Sequence, residues 1–144
     1  MGVIKYLLMI VFLTVNSNAV ACKLGNLEQF IEFDKGDLTI GASRAKDIAL
    51  WFIDWRDIDG ISSVLVMTYY NEEVNASQDI SNIRLTNVSR LLAPLVAQNV
   101  KIEYVNWPRK PHSKTADNYY FNILGISIQP KCIETHSCCG GDRR

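Results

Sequence analysis

The sequence predicts an α/β fold whose elements follow the order strand, helix, strand, helix, strand, strand (βαβαββ). Residues 64–67 form a continuous apolar run, which is typical of a strand covered on both faces. Residues 88–96 carry apolar side chains at spacings of three and four, as on the buried side of a helix. Residues 100–107 alternate between apolar and polar types, as in a half-buried strand. We therefore expect an α+β sandwich, with a mixed four-stranded sheet and helices packed on one face.

The first half of the chain supplies two strands and one helix. Residues 27–33 form an apolar strand, and the turn-forming residues 34–37 end it. A helix starts at Ser43 and ends in the polar residues 57–60, and a second strand covers residues 61–70. The buried side of that helix is expected to carry five apolar residues: Ala45, Ile48, Ala49, Phe52 and Ile53.

The central helix is expected within residues 77–96. Ser81 is a good N-cap, and Asp79 places negative charge at the positive end of the helix dipole. Pro94 lacks a backbone N–H, so the regular part of the helix should end near Leu92.

Arg84 is the unusual residue of this helix. With Ser81 as the cap, it occupies the third helical position, where a cation opposes the helix dipole. One interpretation is an arginine whose stem covers the end of the core while its charge stays in water. The other is an anion site, because free N–H groups at a helix N-terminus and one guanidinium can together hold a carboxylate.

The last third of the chain supplies two more strands. The third strand covers residues 100–107 and is followed by a Pro-rich loop, residues 108–113. A short helix is expected around residues 114–118, and the last long strand covers residues 119–129.

The chain length of 144 residues is that of a single domain. We expect this domain over residues 30–130, preceded by a short linker, residues 22–29. A Cys-rich tail, residues 131–144, follows it.

Residues 1–21 have the features of a secretory signal peptide. Lys5 supplies the positive charge before an apolar run that is too short to span a bilayer comfortably. Residues 19–21 form an A-x-A cleavage site, after which a signal peptidase would release a soluble protein. Alternatively, these residues and Cys22 resemble a bacterial lipobox with Ala instead of Leu at its first position, and Cys22 would then carry a lipid anchor.

The four cysteines are disulfide candidates, because an exported chain meets an oxidising compartment. They are Cys22, Cys132, Cys138 and Cys139, and if all are free to pair they allow two bridges in three ways. Lipidation of Cys22 would leave one of the other three unpaired. Adjacent cysteines with His136 do not match the usual spacing of a structural zinc site, so we expect no metal.

Charge and motifs exclude several classes of function. The chain has 15 basic and 15 acidic residues and no basic patch, so nucleic acid is not an expected partner. It contains no nucleophile elbow, no zinc-protease motif and no Gly-rich phosphate loop. We therefore expect a protein that is not an enzyme and carries no cofactor.

Aromatic residues gather near the predicted strand ends. Most of them are expected to pack in the core or along an edge. The alternative is a surface that stacks on glycan or docks a protein, since exposed Tyr and Trp are favoured at interfaces. The residues concerned are Tyr69, Tyr70, Tyr104, Trp107, Tyr119 and Tyr120.

Four blocks of sequence, taken in order and at compatible spacing, resemble a known family. They are residues 31–34 with Leu38, residues 64–68, residues 80–85 with Val88 and Leu92, and residues 116–123. The third block resembles the motif L-S-x-x-R-A at the start of a helix, and the fourth resembles A-x-N-R-R-V-x-I before the last strand. Together they make the chain similar to the OmpA-like domain, the peptidoglycan-binding module of Gram-negative envelope proteins.

The resemblance implies a ligand site for the diaminopimelate of the peptidoglycan stem. In the family, an Asp that ends the second strand binds the ammonium group, and the Arg at the helix start binds a carboxylate. The Arg corresponds to Arg84, whereas the Asp position holds Tyr69. The candidates for the missing negative charge are Glu72 and Glu73. The implied ligand-binding set is Arg84, Thr68, Tyr69, Ser81 and Asn118.

The resemblance therefore implies a non-enzymatic protein of the Gram-negative envelope that binds peptidoglycan through Arg84. It would be exported to the periplasm, or anchored to the outer membrane through Cys22. The alternative keeps the fold but not the ligand. The protein would then be an interaction subunit of an envelope or secretion apparatus, or a periplasmic immunity protein that blocks a toxin.

Overall fold

The computed structural model describes residues 26–74, 76–110, 118–135 and 137–138. The predictions on the leader, Cys22, the loop after residue 110, His136, Cys139 and the end of the tail lie outside these residues. The side chain of Asn118 also lies outside the described part of the chain.

The order of the elements confirms the one predicted from the sequence. Two long helices separate the first three strands, and two one-turn helices flank the last strand. The bounds are β1 Glu28–Glu32, α1 Ala42–Ile58, β2 Ile61–Tyr70, a 3₁₀ turn Glu72–Val74, α2 Gln78–Leu92, β3 Lys101–Pro108, α3 Asn118–Phe121, β4 Ile123–Pro130 and α4 Lys131–Glu134.

The four strands form one mixed sheet in the order β1-β4-β2-β3. β2 and β3 are parallel, and α2 connects them as a crossover helix. β4 lies between β1 and β2 and is antiparallel to both. The registers place Val66 of β2 beside Tyr104 of β3 and Ile126 of β4.

One face of the sheet and both long helices share a single core. α1 contributes Ile48, Trp51 and Phe52, and α2 contributes Val88 and Leu92. Because side chains alternate along a strand, every second residue of the central strands reaches this core. These strand residues are Val64, Val66, Leu124, Ile126 and Ile128. The predicted fold class, a mixed sheet with its helices on one face, is confirmed.

The opposite face of the sheet carries the alternate residues of each strand, and we call it the open face. Its side chains are only partly covered: Phe30 is 53% exposed and Trp107 is 45% exposed. By strand register, its apolar members are Phe30, Leu65, Met67, Tyr69, Val105 and Trp107.

The predicted N-cap of α2 is wrong by four residues. Ser77 is the cap, because its hydroxyl accepts a hydrogen bond of 3.3 Å from the backbone N–H of Ile80. The carboxylate of Glu72 accepts a second one, of 2.9 Å, from the N–H of Gln78. Ser81 lies inside the helix, where its hydroxyl donates to the carbonyl of Tyr69 over 3.1 Å. The end of α2 agrees with the prediction, because the helix stops at Leu92.

The last strand starts later than predicted. Residues 118–121 form α3, and β4 begins only at Ile123. Phe121 is 1% exposed, and the carbonyl of Asn122 accepts a hydrogen bond of 2.8 Å from the N–H of Phe33. This segment is therefore a helical turn that buries Phe121 and not an extension of the strand.

A disulfide joins Cys132, at the start of α4, to Cys138. The sequence allowed Cys132 to pair with any of the other three cysteines, and in the structure it pairs with Cys138. Both sulfurs are consumed by the bridge, so neither is available as a thiolate ligand for a metal. Within the described ranges, no helix is long and apolar enough to cross a membrane.

Candidate functional site

Arg84 is buried with its charge. It is the seventh residue of α2 and only 1% exposed. Its guanidinium donates four hydrogen bonds to oxygen atoms of the chain. Nε donates to the carbonyl of Asp37 over 2.8 Å, Nη2 to the carbonyl of Asp34 over 3.3 Å, and Nη1 to the carbonyl of Phe121 over 3.1 Å and to Oδ1 of Asn122 over 3.2 Å.

The electrostatic surroundings of Arg84 are those of a buried cation held mainly by dipoles. Burial lowers the pKa of Arg84, and the charge of Asp37 partly opposes that shift. The guanidinium carbon lies 4.4 Å from the centre of the Phe33 ring, a distance at which the ring face attracts a cation. All four hydrogen-bond acceptors are neutral oxygens, so the hydrogen bonds orient the group without neutralising its charge.

Three of the four family-like blocks meet at Arg84. Asp34 belongs to the first block, Arg84 to the third, and Phe121 and Asn122 to the fourth. Four of the five guanidinium N–H groups are used in these contacts. A bidentate contact with a ligand carboxylate needs two N–H groups, so it would have to displace an internal acceptor.

The other described residues of the implied ligand set lie on both faces of the sheet, whereas the side chain of Asn118 is outside the described part of the chain. Thr68 is 1% exposed, and its hydroxyl donates to the carbonyl of Ile123 over 3.2 Å on the core side. Ser81 is also buried. The ring of Tyr69 lies on the open face, with its centre 6.0 Å from that of Trp107.

The acidic residues that could replace the family Asp follow β2 directly. The carboxylate of Glu72 caps α2 through the N–H of Gln78. The backbone N–H of Glu73 donates to the side chain of Asn71 over 2.7 Å, and its own side chain is exposed. Glu72 therefore has a structural role at the start of α2.

A second cluster lies on the open face around Arg109, and we call it the Arg109 cleft. Its volume is about 320 Å³. The guanidinium carbon of Arg109 lies 4.2 Å from the centre of the Tyr120 ring and 5.0 Å from that of Tyr69. The lining residues are Phe30, Met67, Tyr69, Arg109, Tyr120, Ile123 and Gly125.

The backbone of Arg109 is fixed at the end of β2. Its N–H donates to the carbonyl of Tyr70 over 3.1 Å, and its carbonyl accepts from the side chain of Asn71 over 2.7 Å. Among the residues that the structure describes, the guanidinium of Arg109 makes no hydrogen bond and no ion pair. It is therefore positioned by stacking on aromatic rings, while its N–H groups remain available.

A shallow groove continues the open face next to this cleft, and we call it the β3 groove. It has a volume of about 460 Å³ and is lined by Leu65, Val105, Trp107 and Ser127, among others. At its rim, Lys101 and Glu103 form an exposed ion pair of 3.6 Å.

The sequence pattern predicts a Pro-rich loop at Arg109 and does not mark this residue as functional. A signal was nevertheless present, since this arginine directly follows β3, and the neighbouring strand β2 ends in Tyr69 and Tyr70. The aromatic residues themselves were noted as a surface for stacking or docking, and Tyr69, Trp107 and Tyr120 do lie on or beside the open face.

Comparison with known proteins gives a likeness in fold. No family model matches the chain, and no curated protein matches it. Among solved structures, the chain is similar to the OmpA-like domain of FopA1 from Francisella tularensis subsp. tularensis SCHU S4. The two are 17% identical with a TM-score of 0.47, over 75% of this chain and 78% of that one.

Proposed function

We propose that the protein is a non-enzymatic, exported protein of the bacterial envelope that binds another envelope protein through the open face of its sheet. One observation carries this proposal. Arg109 presents a guanidinium that lies over two tyrosine rings and has no hydrogen-bond or ion-pair partner among the described residues, on a sheet face that the long helices leave uncovered. Arginine and aromatic residues are the types most enriched at the centres of protein interfaces.

The exposure of apolar side chains on this face supports the proposal. Phe30, Trp107 and Tyr120 are each between 44% and 53% exposed. They flank two adjoining concavities, and a contiguous apolar surface of this kind commonly marks an interaction site. The single exposed ion pair of Lys101 and Glu103 at the rim resembles the polar border of an interface.

Photo-crosslinking in cells that export the full chain tests the proposal. A benzoylphenylalanine at position 107 would probe the open face, and one at position 50 would probe α1, because Trp107 and Leu50 are 45% and 50% exposed. We expect a discrete protein adduct from position 107 only, and its loss when Met67→Glu is added. Equal adducts from both positions, or none from position 107, would contradict the proposal.

A second candidate, binding of peptidoglycan through Arg84, is favoured by the convergence of three family-like blocks on this residue. Its cost is the displacement of an internal acceptor of the guanidinium. Co-sedimentation of the exported protein with purified sacculi separates the two candidates. Sedimentation that persists in Trp107→Glu but disappears in a folded Arg84→Lys variant would favour peptidoglycan, and the absence of sedimentation would exclude it.

A further inference from the structure

The Arg109 cleft combines one cation with apolar walls. The guanidinium lies over two tyrosine rings and has no acceptor among the described residues. The other lining side chains, apart from the tyrosine hydroxyls, are apolar: Phe30, Met67 and Ile123. A ligand that fits must therefore pair an apolar group with an anion, and a planar guanidinium matches a carboxylate in two parallel hydrogen bonds.

Gly125 forms the floor of the cleft. A Cβ atom added there would lie 3.4 Å from Cγ of Met67 and 3.5 Å from Cε1 of Phe30. In the strand register Gly125 lies between Phe30 and Met67, and all three residues line the cleft. A volume of about 320 Å³ is suited to one amino-acid residue with a large side chain and not to a folded element.

We propose that the Arg109 cleft binds the C-terminal residue of a partner polypeptide. Its terminal carboxylate pairs with Arg109, and its apolar side chain lies against Phe30 and Met67. This inference rests on the proposed function and specifies the chemistry of the partner. Capture of a chain terminus by preorganised donors is an established mode of peptide recognition, although here the donor is a side chain.

The β3 groove explains why the ligand is a chain terminus and not an isolated acid. Leu65 and Met67 are two residues apart on β2 and share the open face, so their side chains lie roughly 7 Å apart along the strand. This distance is the repeat of alternate residues in an extended peptide. A peptide whose last residue occupies the cleft therefore places the residue two positions earlier in the groove beside Leu65.

Peptide titrations followed by NMR test the inference with the exported protein. The probes are N-acetyl-Leu-Ala-Phe with a free carboxylate, the same tripeptide as its C-terminal amide, and 3-phenylpropanoate as a lone carboxylate. We expect the acid to bind at least tenfold more tightly than either other probe, with shifts at the Trp107 indole and at Arg109 Nε. Equal affinity for the acid and the amide would show that the carboxylate is not recognised. Equal affinity for the tripeptide acid and 3-phenylpropanoate would show that the cleft binds a lone carboxylate and not a chain terminus.

Variants at two positions of the cleft, with one control on α2, test whether the effect arises there. Arg109→Gln should abolish the difference in affinity between the acid and the amide, and Arg109→Lys should retain part of it. Arg90→Gln, on the exposed side of α2, is the control and should leave this difference unchanged. Gly125→Ala should weaken binding of the acid several-fold by filling the floor. If no peptide binds while the crosslink at position 107 persists, the inference is wrong and the proposed function stands. If the crosslink is also absent, both are wrong.

Discussion

Nη1 of Arg84 donates a hydrogen bond of 3.1 Å to the carbonyl of Phe121, which ties α2 to the segment just before β4. The same guanidinium reaches the carbonyls of Asp34 and Asp37 in the loop after β1. One side chain thus connects three segments that are distant in sequence. A group engaged in this way contributes to the fold whether or not it also meets a ligand.

Replacing Arg84 by Ala should therefore destabilise the domain. The variant removes the donor that Arg84 supplies to the buried carbonyl of Phe121 and to the carbonyl of Asp37, and the loss of a donor to a buried acceptor costs about 1–3 kcal/mol. The carbonyl of Asp34 keeps the N–H of Asp37 as a donor. We expect the free energy of unfolding to fall by about 3 kcal/mol or more in urea titrations. Arg90→Ala, on the exposed side of the same helix, should change it by less than about 0.5 kcal/mol. Similar losses in the two variants would contradict a structural role for Arg84.

The charge of Arg84 should not make stability depend on pH in the ordinary range. Burial lowers the pKa of Arg84 in the folded state, so the unfolded chain binds its proton more tightly. Keeping the charge in the folded state therefore carries a desolvation cost at every pH below both pKa values, and this cost declines only as pH rises through the folded-state pKa. Because arginine remains protonated in proteins, that window lies at strongly alkaline pH. The difference in unfolding free energy between wild type and Arg84→Gln should be constant from pH 6 to 9.

Local patterns predicted the elements well because their causes are local. The apolar stripe of Val88 and Leu92, and the break at Pro94, fixed the end of α2 without reference to the rest of the chain. The start of α2 depended on more distant contacts. Both Ser77 and Ser81 are suitable caps, and the choice is decided by the carboxylate of Glu72 and by the position of Tyr69.

The candidate sites were harder to predict because their parts come from separate segments. The acceptors of Arg84 lie 37 to 50 residues away in sequence, so no periodicity reports that its charge is buried. The Arg109 cleft likewise joins β1, β2, β4 and α3. Its aromatic residues could be recognised from the sequence by their type. The strand register that brings them together could not be predicted from the sequence.

The cap at Ser77 leads to a second stability prediction. Ser77→Ala removes the acceptor for the N–H of Ile80 and should cost about 1 kcal/mol in thermal or urea unfolding. Ser77→Asp should retain the wild-type stability, because aspartate is also a good cap and its negative charge interacts favourably with the helix N-terminus. If both Ser77→Ala and Ser77→Asp reduced the stability, the hydroxyl would not act as a helix cap.

The cysteine pairing can be checked by mass spectrometry of the exported protein without reduction. Cleavage after Glu134 separates Cys132 from Cys138, so the Cys132–Cys138 bridge should hold the two fragments together. Cys139 lies in the same fragment as Cys138, so the fragment mass alone does not show which of the two is bridged to Cys132. Single Cys→Ser variants distinguish them. Cys139→Ser should retain the link and Cys138→Ser should lose it, whereas the reverse result would assign the bridge to Cys139. The same spectra would show whether the chain starts after Ala21 and whether Cys22 carries lipid.

Gly125→Ala should separate stability from binding on the open face. The backbone at Gly125 does not have the positive φ that favours glycine, and an added Cβ would make ordinary contacts of 3.4 to 3.5 Å with Met67 and Phe30. Reduced freedom of the unfolded chain should raise the free energy of unfolding by about 0.4–1 kcal/mol. The same methyl group fills the floor of the Arg109 cleft and should weaken the partner contact in crosslinking from position 107. A variant that is more stable yet binds less well cannot be explained by unfolding, so this pair of measurements assigns the loss to the cleft itself.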